Sequence, residues 1–328
     1  MKYTTIKGFR DPVARLVFGT SWFTFKDAEY AYEQIDRYIE EGGNILDTGR
    51  FYGRADAITK AEEVLAGWIA KPGNREKVYI VDKCCHPFVR RNGTIDDSRW
   101  RVKPDFMWDD LYYSLDRLGI DYMDMYITHR DDPKIPVSDI MDTFEEMRLK
   151  GLIHAYGVSN WQKDRVQEAI DYCNKMSYYG PSINSPSFCP ITVPMRRWRS
   201  CTYADEEYAM WHKDAGITLF GWAPTGSGFF SGRAPYGEDT STMPLDVLES
   251  YCTPKNLQIR ERVREVAKNR DITPTMASLA WVYTHDLDVC AIVGTRTMEN
   301  LLNSINVIDN IRLTPAEMDY IGLRTDSL

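Results

Sequence analysis

The chain lacks any long apolar run. Neither the opening stretch MKYTTIKGFRDPVARLVFGT nor a later segment holds enough uninterrupted apolar residues for a signal-peptide core or a membrane helix. The expectation is a cytoplasmic protein with no membrane partner. It has no low-complexity stretch and no Pro/Gly/Ser linker, so residues 1–328 read as a single domain. Positive charge is short as well: 40 Lys and Arg stand against 48 Asp and Glu, a net charge of -8 that repels phosphate backbones and anionic membrane surfaces. Nucleic acid is not an expected partner, and nothing in the sequence specifies an oligomer.

The cysteines number seven, an odd count scattered from Cys84 to Cys290, and a chain of this length needs no disulfides to hold its core. Reduced thiols are the default. Cys84, Cys85 and His86 are adjacent, but they lack zinc-type spacing and no second cluster completes a ligand set, so no metal is expected. Asn92-Gly93-Thr94 matches a glycosylation acceptor, which carries no weight without a secretory route. No GxGxxG opens a strand-turn-helix unit, which argues against a Rossmann-type dinucleotide site.

What is present is an ordinary globular composition, 43% hydrophobic and 27% charged, arranged as short β-rich runs alternating with longer amphipathic stretches. Eight alternations can be counted. The strand candidates are LVFGT, NILDT, VYIVDK, MDMYITH, IHAYGVS, PSIN, ITLFGW and VCAIVG. Helical spacing recurs over 26–41, through Ala28, Tyr32, Ile35 and Ile39, and over 137–150, through Ile140, Phe144 and Met147. Glycines at Gly42, Gly43 and Gly151 then stop each helix. The pattern predicts an α/β fold, a (β/α)8 TIM barrel, with an N-terminal β-hairpin cap over Tyr3–Leu16 and an extra C-terminal helix. Two connections, 84–104 and 186–203, are long enough to suggest function.

Barrel enzymes carry their reacting groups at the carboxyl ends of the strands. Here those ends are polar: Asp47, with Tyr52 five residues on, then Lys83, His129-Arg130, Ser159-Asn160, Asn184-Ser185 and Gly294-Thr295-Arg296. Singly, each has a structural explanation, as a cap, a loop aromatic or a satisfied core histidine. Together they supply what carbonyl reduction requires, because an oxygen gaining negative charge must be protonated by a positioned acid. Tyr52 can give that proton, Lys83 can stabilise the phenolate, Asp47 can hold Lys83 charged, and His129 can orient the substrate oxygen.

The order Asp47, Tyr52, Lys83, His129 resembles the catalytic tetrad of the aldo-keto reductase superfamily. The segments NILDTGRFYG, LGIDYMDMYITHRDDP, KGLIHAYGVSN, GWAPTGSGFFSG and AIVGTRTMENL are similar to family signatures, in family order over nearly the whole chain. The resemblance implies a nicotinamide dinucleotide, NADP(H) preferred and NAD(H) possible, and a small carbonyl or alcohol substrate. It implies that Ser159 and Asn160 bind the nicotinamide carboxamide, with Ser185 where the family usually has glutamine and Phe188 where it usually has a stacking tyrosine. Further dinucleotide contacts are implied at Thr20, at Gly221, Ala223, Pro224, Gly226 and Gly228, at Arg233, and at Gly294, Thr295, Arg296, Asn300 and Asn303. Arg296 would read the adenosine 2'-phosphate. Asn300, Asn303 and Ser304 stand where the family often has other polar residues.

On the substrate side the expectation rests on Trp22 and Arg130, with Phe23, Trp100, Trp108 and Trp198 as further aromatics in or near the loops. Arginines at 90, 91, 99, 101, 196, 197 and 199 fit an anionic or polyhydroxylated substrate, or equally a solvated loop face. Two other readings remain open: a barrel lyase using Lys83 as a Schiff-base nucleophile, and a dinucleotide-holding sensor with weak turnover. A lysine held charged by Asp47 argues against the lyase, and the intact tetrad against the sensor.

Overall fold

The structure is a computed structural model that describes residues 1–52, 60–88, 96, 99–193, 200–231, 243 and 245–328. Eight parallel strands close into a barrel: β3 (Leu16–Gly19), β4 (Ile45–Asp47), β5 (Tyr79–Cys84), β6 (Met123–Thr128), β7 (Ile153–Ser159), β8 (Ile183–Ser185), β9 (Thr218–Trp222) and β10 (Cys290–Val293). They pair in chain order, and β10 closes the ring onto β3. Each lies on one of the eight β-rich runs of the sequence.

Between and after the strands come α1 (Ala28–Glu40), α2 (Lys60–Ile69), α3 (Pro104–Leu118), α4 (Val137–Leu149), α5 (Lys163–Met176) and α6 (Glu206–Ala215). The remainder are α7 (Leu245–Tyr251), α8 (Pro254–Asn269), α9 (Pro274–Thr284), α10 (Met298–Asn310) and α11 (Pro315–Ile321). The predicted stretches 26–41 and 137–150 contain α1 and α4. In α1 the buried face is Ala31, Gln34, Ile35 and Tyr38. The Tyr38 hydroxyl donates to the carbonyl of Leu16 at 2.6 Å and lies 3.1 Å from that of Ile45, pinning the helix across β3 and β4. Gly43 is needed there, since an added Cβ would come within 2.2 Å of the Tyr38 ring. The extra C-terminal helix is α11, opened by Pro315 and a reciprocal capping box between Thr314 and Glu317.

The predicted cap is present as β1 (Tyr3–Thr4) and β2 (Val13–Ala14), an antiparallel pair. It sends Ile6 and Phe9 into the lower barrel against Val81, Met125 and Ala155. The turn runs so close to β7 that a Cβ on Gly8, at φ +103°, would sit 2.3 Å from that of Ala155. Removing these side chains from water stabilises the floor by roughly 1.5–3 kcal/mol for each large apolar group.

Side chains alternate between the two faces of a strand. Ile45, Val81, Met125, Ile127, Ala155, Ile183, Phe220 and Ile292 fill the barrel interior. Two residues further along the same faces come Asp47, Lys83, His129, Ser185 and Trp222, and Ser159 lies four beyond Ala155. The apolar plug below therefore supports a polar rung above. Asp82, Asp124 and Tyr126 take the opposite parity and face the helices.

Candidate active site

Asp47 and Lys83 stand on neighbouring strands at the top of the barrel, both buried, and Lys83 Nζ donates to Asp47 Oδ1. Lys83 also donates to the Thr48 carbonyl at 3.3 Å. The Tyr52 hydroxyl reaches back from the following loop and donates to Asp47 Oδ2 at 3.3 Å, with Lys83 Nζ 4.9 Å from the centre of the phenol ring. His129 meets that ring edge-on at 5.4 Å. The four side chains named from the sequence share one cluster.

Burial sets their protonation. It works to lower the Lys83 pKa, but the charge of Asp47 and the Tyr52 oxygen outweigh it, and Lys83 ends above its ordinary value. A lysine so held is a poor Schiff-base nucleophile. Burial first, then the Asp47 charge, push the Tyr52 phenol up to about 12, with Lys83 opposing. The phenol therefore keeps its proton at neutral pH. Burial and the charge of Arg130 hold His129 well below the ordinary histidine value, as a neutral imidazole.

A cleft of about 1150 Å³ opens above this cluster and runs to the start of α10. Trp22, Arg130, Ser159, Asn160, Ala223, Pro224, Gly228, Gly294, Thr295, Arg296, Asn300 and Asn303 all line it, as do Asp47, Tyr52, Lys83 and His129. Asn160, at φ +63°, is fixed from several sides. Its amide nitrogen donates to the His129 carbonyl at 3.0 Å, and its oxygen accepts from the Thr202 backbone and from Trp222 Nε1, each at 3.1 Å. Ser159 Oγ donates to the Ser185 carbonyl at 2.7 Å. The loop after β9 is bent by left-handed residues at Ala223 and Ser227, and Pro224 gives its carbonyl to Ser278 Oγ at 2.9 Å.

Other residues expected at the dinucleotide are engaged within the protein. Phe188 is fully buried and packs on Trp281 and His285 at 5.2 Å, so its ring faces α9 and is not available for stacking in the cleft. The cleft aromatic at the end of β9 is Trp222 instead, half-buried. Gly221 lies against Phe188, where an added Cβ would stand 3.0 Å from that residue's own Cβ, and Gly226 packs under Phe229. Neither reaches the cleft wall. Thr20 donates to the Asp47 carbonyl at 3.1 Å, and Ser185 Oγ is buried with no partner among the described residues. The Thr295 hydroxyl donates to Gln34 at 3.1 Å, which leaves it no proton to offer a phosphate.

Arg233 lies outside the described residues, as do Trp198 and the arginines at 90, 91, 196, 197 and 199. Arg101 is buried and bonded to Asp110, not directed at a ligand. Trp108 stacks on Tyr112 along α3. Sequence reasoning passed over Trp222, Phe51, His86 and Cys201, which also line the cleft. Trp222 was visible as the last inward position of ITLFGW. Cys84 is a buried thiol that donates to the Ile127 carbonyl at 3.4 Å, and among the described residues no three ligating side chains gather as a metal site.

A closed parallel barrel with its ionisable side chains gathered at the carboxyl ends of the strands has the layout of a barrel enzyme. The chain belongs to the aldo/keto reductase family, whose model matches residues 15–322. It is thus an oxidoreductase acting on carbonyl and alcohol groups with a nicotinamide cofactor. Among its relatives is a probable aldo-keto reductase 1 of Glycine max, 26% identical over 307 residues, covering 90% of this chain and 81% of that one. Another is the aldo-keto reductase yakc [NADP(+)] of Schizosaccharomyces pombe, 24% identical over 297 residues, covering 87% and 79%. A crystal structure of the thermostable aldo-keto reductase Tm1743 in complex with the inhibitor epalrestat shares the fold. Its TM-score is 0.71 at 21% identity, over 99% of this chain and 100% of that one.

Proposed function

We propose that this protein reduces an aldehyde or ketone in the mouth above Tyr52 and His129, with NADPH as the preferred dinucleotide. The observation that carries the reading is the buried Asp47–Lys83 ion pair with the Tyr52 hydroxyl donating to its carboxylate at 3.3 Å.

The cleft suits a dinucleotide. Ser159 and Asn160 line the cleft beside His129, where a carboxamide would exchange for their present internal hydrogen bonds, Trp222 adds a flat ring, and the bend from Ala223 to Gly228 brings backbone amides toward a pyrophosphate. The NADPH preference is supported by Arg296, a guanidinium exposed at the cleft just past β10, with Asn300 and Asn303 also lining the cleft from α10. When bound, a reduced nicotinamide supplies hydride. Neutral His129 donates a hydrogen bond to the substrate oxygen and orients it, Tyr52 delivers the proton, and Lys83 stabilises the phenolate left behind. Asp47 keeps Lys83 charged and in place.

The test is a panel of aldehydes, ketones and sugars assayed by loss of NADPH or NADH absorbance, with both dinucleotides titrated into wild type and Arg296→Ala. Turnover with NADPH favoured, and an Arg296→Ala variant weakened for NADPH alone, are the expected results. Equal weakening for both dinucleotides, or a wild type favouring NADH, would sink the cofactor assignment.

A further inference from the structure

Arg130 presents a buried charge for which the described residues provide no carboxylate. It is 6% exposed, its Nη1 donates to the His129 carbonyl at 2.8 Å, and its Nε is buried with no partner among the described residues. The neighbouring acids are committed elsewhere. Asp47 holds Lys83, Asp110 holds Arg50 and Arg101, and Asp131 accepts from Arg165 at 3.3 Å. A guanidinium cannot shed its proton to escape burial, so an uncompensated one is costly. Asp47 and Lys83 cancel, and both histidines of the mouth are neutral. Among the described residues around Tyr52 and His129, Arg130 is the positive charge left without a carboxylate.

The placement separates this charge from the dinucleotide phosphates. Arg130 follows β6, Arg296 follows β10, and in the strand order β10-β3-β4-β5-β6 these two strands stand opposite one another in a ring of eight. Beside Arg130, His86 stacks on Phe51 at 5.5 Å and meets His129 edge-on at 4.7 Å. His86 Nδ1 lies 2.8 Å from the Pro87 carbonyl, which keeps the proton on Nδ1 and leaves Nε2 as an acceptor for a substrate hydroxyl.

We propose that Arg130 is a specificity determinant that binds an oxyanion, carboxylate or phosphate, on the substrate close to its carbonyl. This rests on the carbonyl-reducing reading above and narrows its substrate class. The distinction from a neutral analogue should be roughly 10- to 100-fold in kcat/KM, the worth of a charged hydrogen bond.

The test compares matched pairs with wild type: succinic semialdehyde against butanal for a carboxylate, and glyceraldehyde 3-phosphate against glyceraldehyde for a phosphate. The anionic member of at least one pair should be favoured, and which pair responds tells the two anions apart. Arg130→Met should collapse that ratio mainly through KM of the anionic substrate, and Arg130→Lys should restore part of it. Dinucleotide affinity, followed by tryptophan quenching, should fall far less. If Arg130→Met does not fold, the wild-type ratios and Arg130→Lys still decide. Equal turnover of both members of each pair overturns this proposal alone. So does an Arg130→Met variant whose loss is entirely in dinucleotide affinity. No turnover of any carbonyl overturns the carbonyl-reducing reading and this proposal with it.

Discussion

The indole nitrogen of Trp222 donates to the side-chain oxygen of Asn160 across 3.1 Å, joining the end of β9 to the residue after β7 on the cleft side of the barrel. A ring and an amide held at that spacing form one wall, so a change in Trp222 should be felt by Asn160 as well. Trp222→Ala is expected to weaken dinucleotide binding by about tenfold, the worth of a stacked aromatic contact. Phe188→Ala should behave differently. It empties a core position and should cost about 3–5 kcal/mol of stability while leaving dinucleotide affinity close to wild type. Fluorescence titration and denaturant melts of both variants check this, and the opposite pattern would return the stacking role to Phe188.

Alcohol oxidation requires the Tyr52 phenolate, and burial with the Asp47 charge pushes that phenol up to about 12. The oxidative rate should therefore climb about tenfold per pH unit from about pH 7 to 10 without levelling. Lys83→Met removes the charge that opposes the shift, so it should be slower at every pH, with the rise displaced further alkaline. A wild-type plateau below about pH 9 would show that the titrating group is not this phenol.

Carbonyl reduction should show no histidine step between about pH 5 and 8. Burial and Arg130 hold His86 down to about 3 and His129 well below its ordinary value, so neither ring gains a proton in that range. A kcat/KM profile that inflects near the ordinary histidine value, and loses the inflection in His129→Asn, would contradict the neutral imidazole.

Glu62 on α2 is buried, accepts from Ser114 Oγ at 2.7 Å, and is pushed up to about 7 by that burial, with Ser114 and Arg117 opposing. Its neighbour Asp82 is also raised, first by burial and then by the charge of Glu62. The folded state thus keeps a Glu62 proton that the unfolded chain releases near its ordinary value of 4.5. Stability is lost as pH rises from there to about 7. Glu62→Gln should be more stable than wild type at about pH 8, by about 1–3 kcal/mol, and show no gain near pH 4.5. Melts of both proteins at the two pH values measure it, and an equal difference at both would refute the linkage.

The barrel and the polar cluster at its mouth were legible because two simple periods coincide. Strand alternation puts Asp47, Lys83 and His129 at the last inward position of apolar runs, where an ionisable residue stands out against the apolar side chains below it. The burial of Phe188 against α9 could not be read from the sequence because the chain between β8 and β9 folds back, with Ser187 bridging to Trp222, and that register leaves no trace in local sequence. The partners of Arg101 and Thr295 were hidden for a related reason. Asp110 lies within a helix face and Gln34 is more than 260 residues away, so each pairing exists through tertiary packing alone.

The most direct test of the account is Tyr52→Phe, which removes one oxygen from the cluster and leaves the cleft wall intact. Dinucleotide affinity and carbonyl turnover should be measured on the same preparation. Affinity is expected to stay near wild type while reduction falls by about 10²-fold or more, the contribution of a positioned general acid. A variant that reduces its best carbonyl substrate at the wild-type rate would contradict the assignment of Tyr52 as the proton donor.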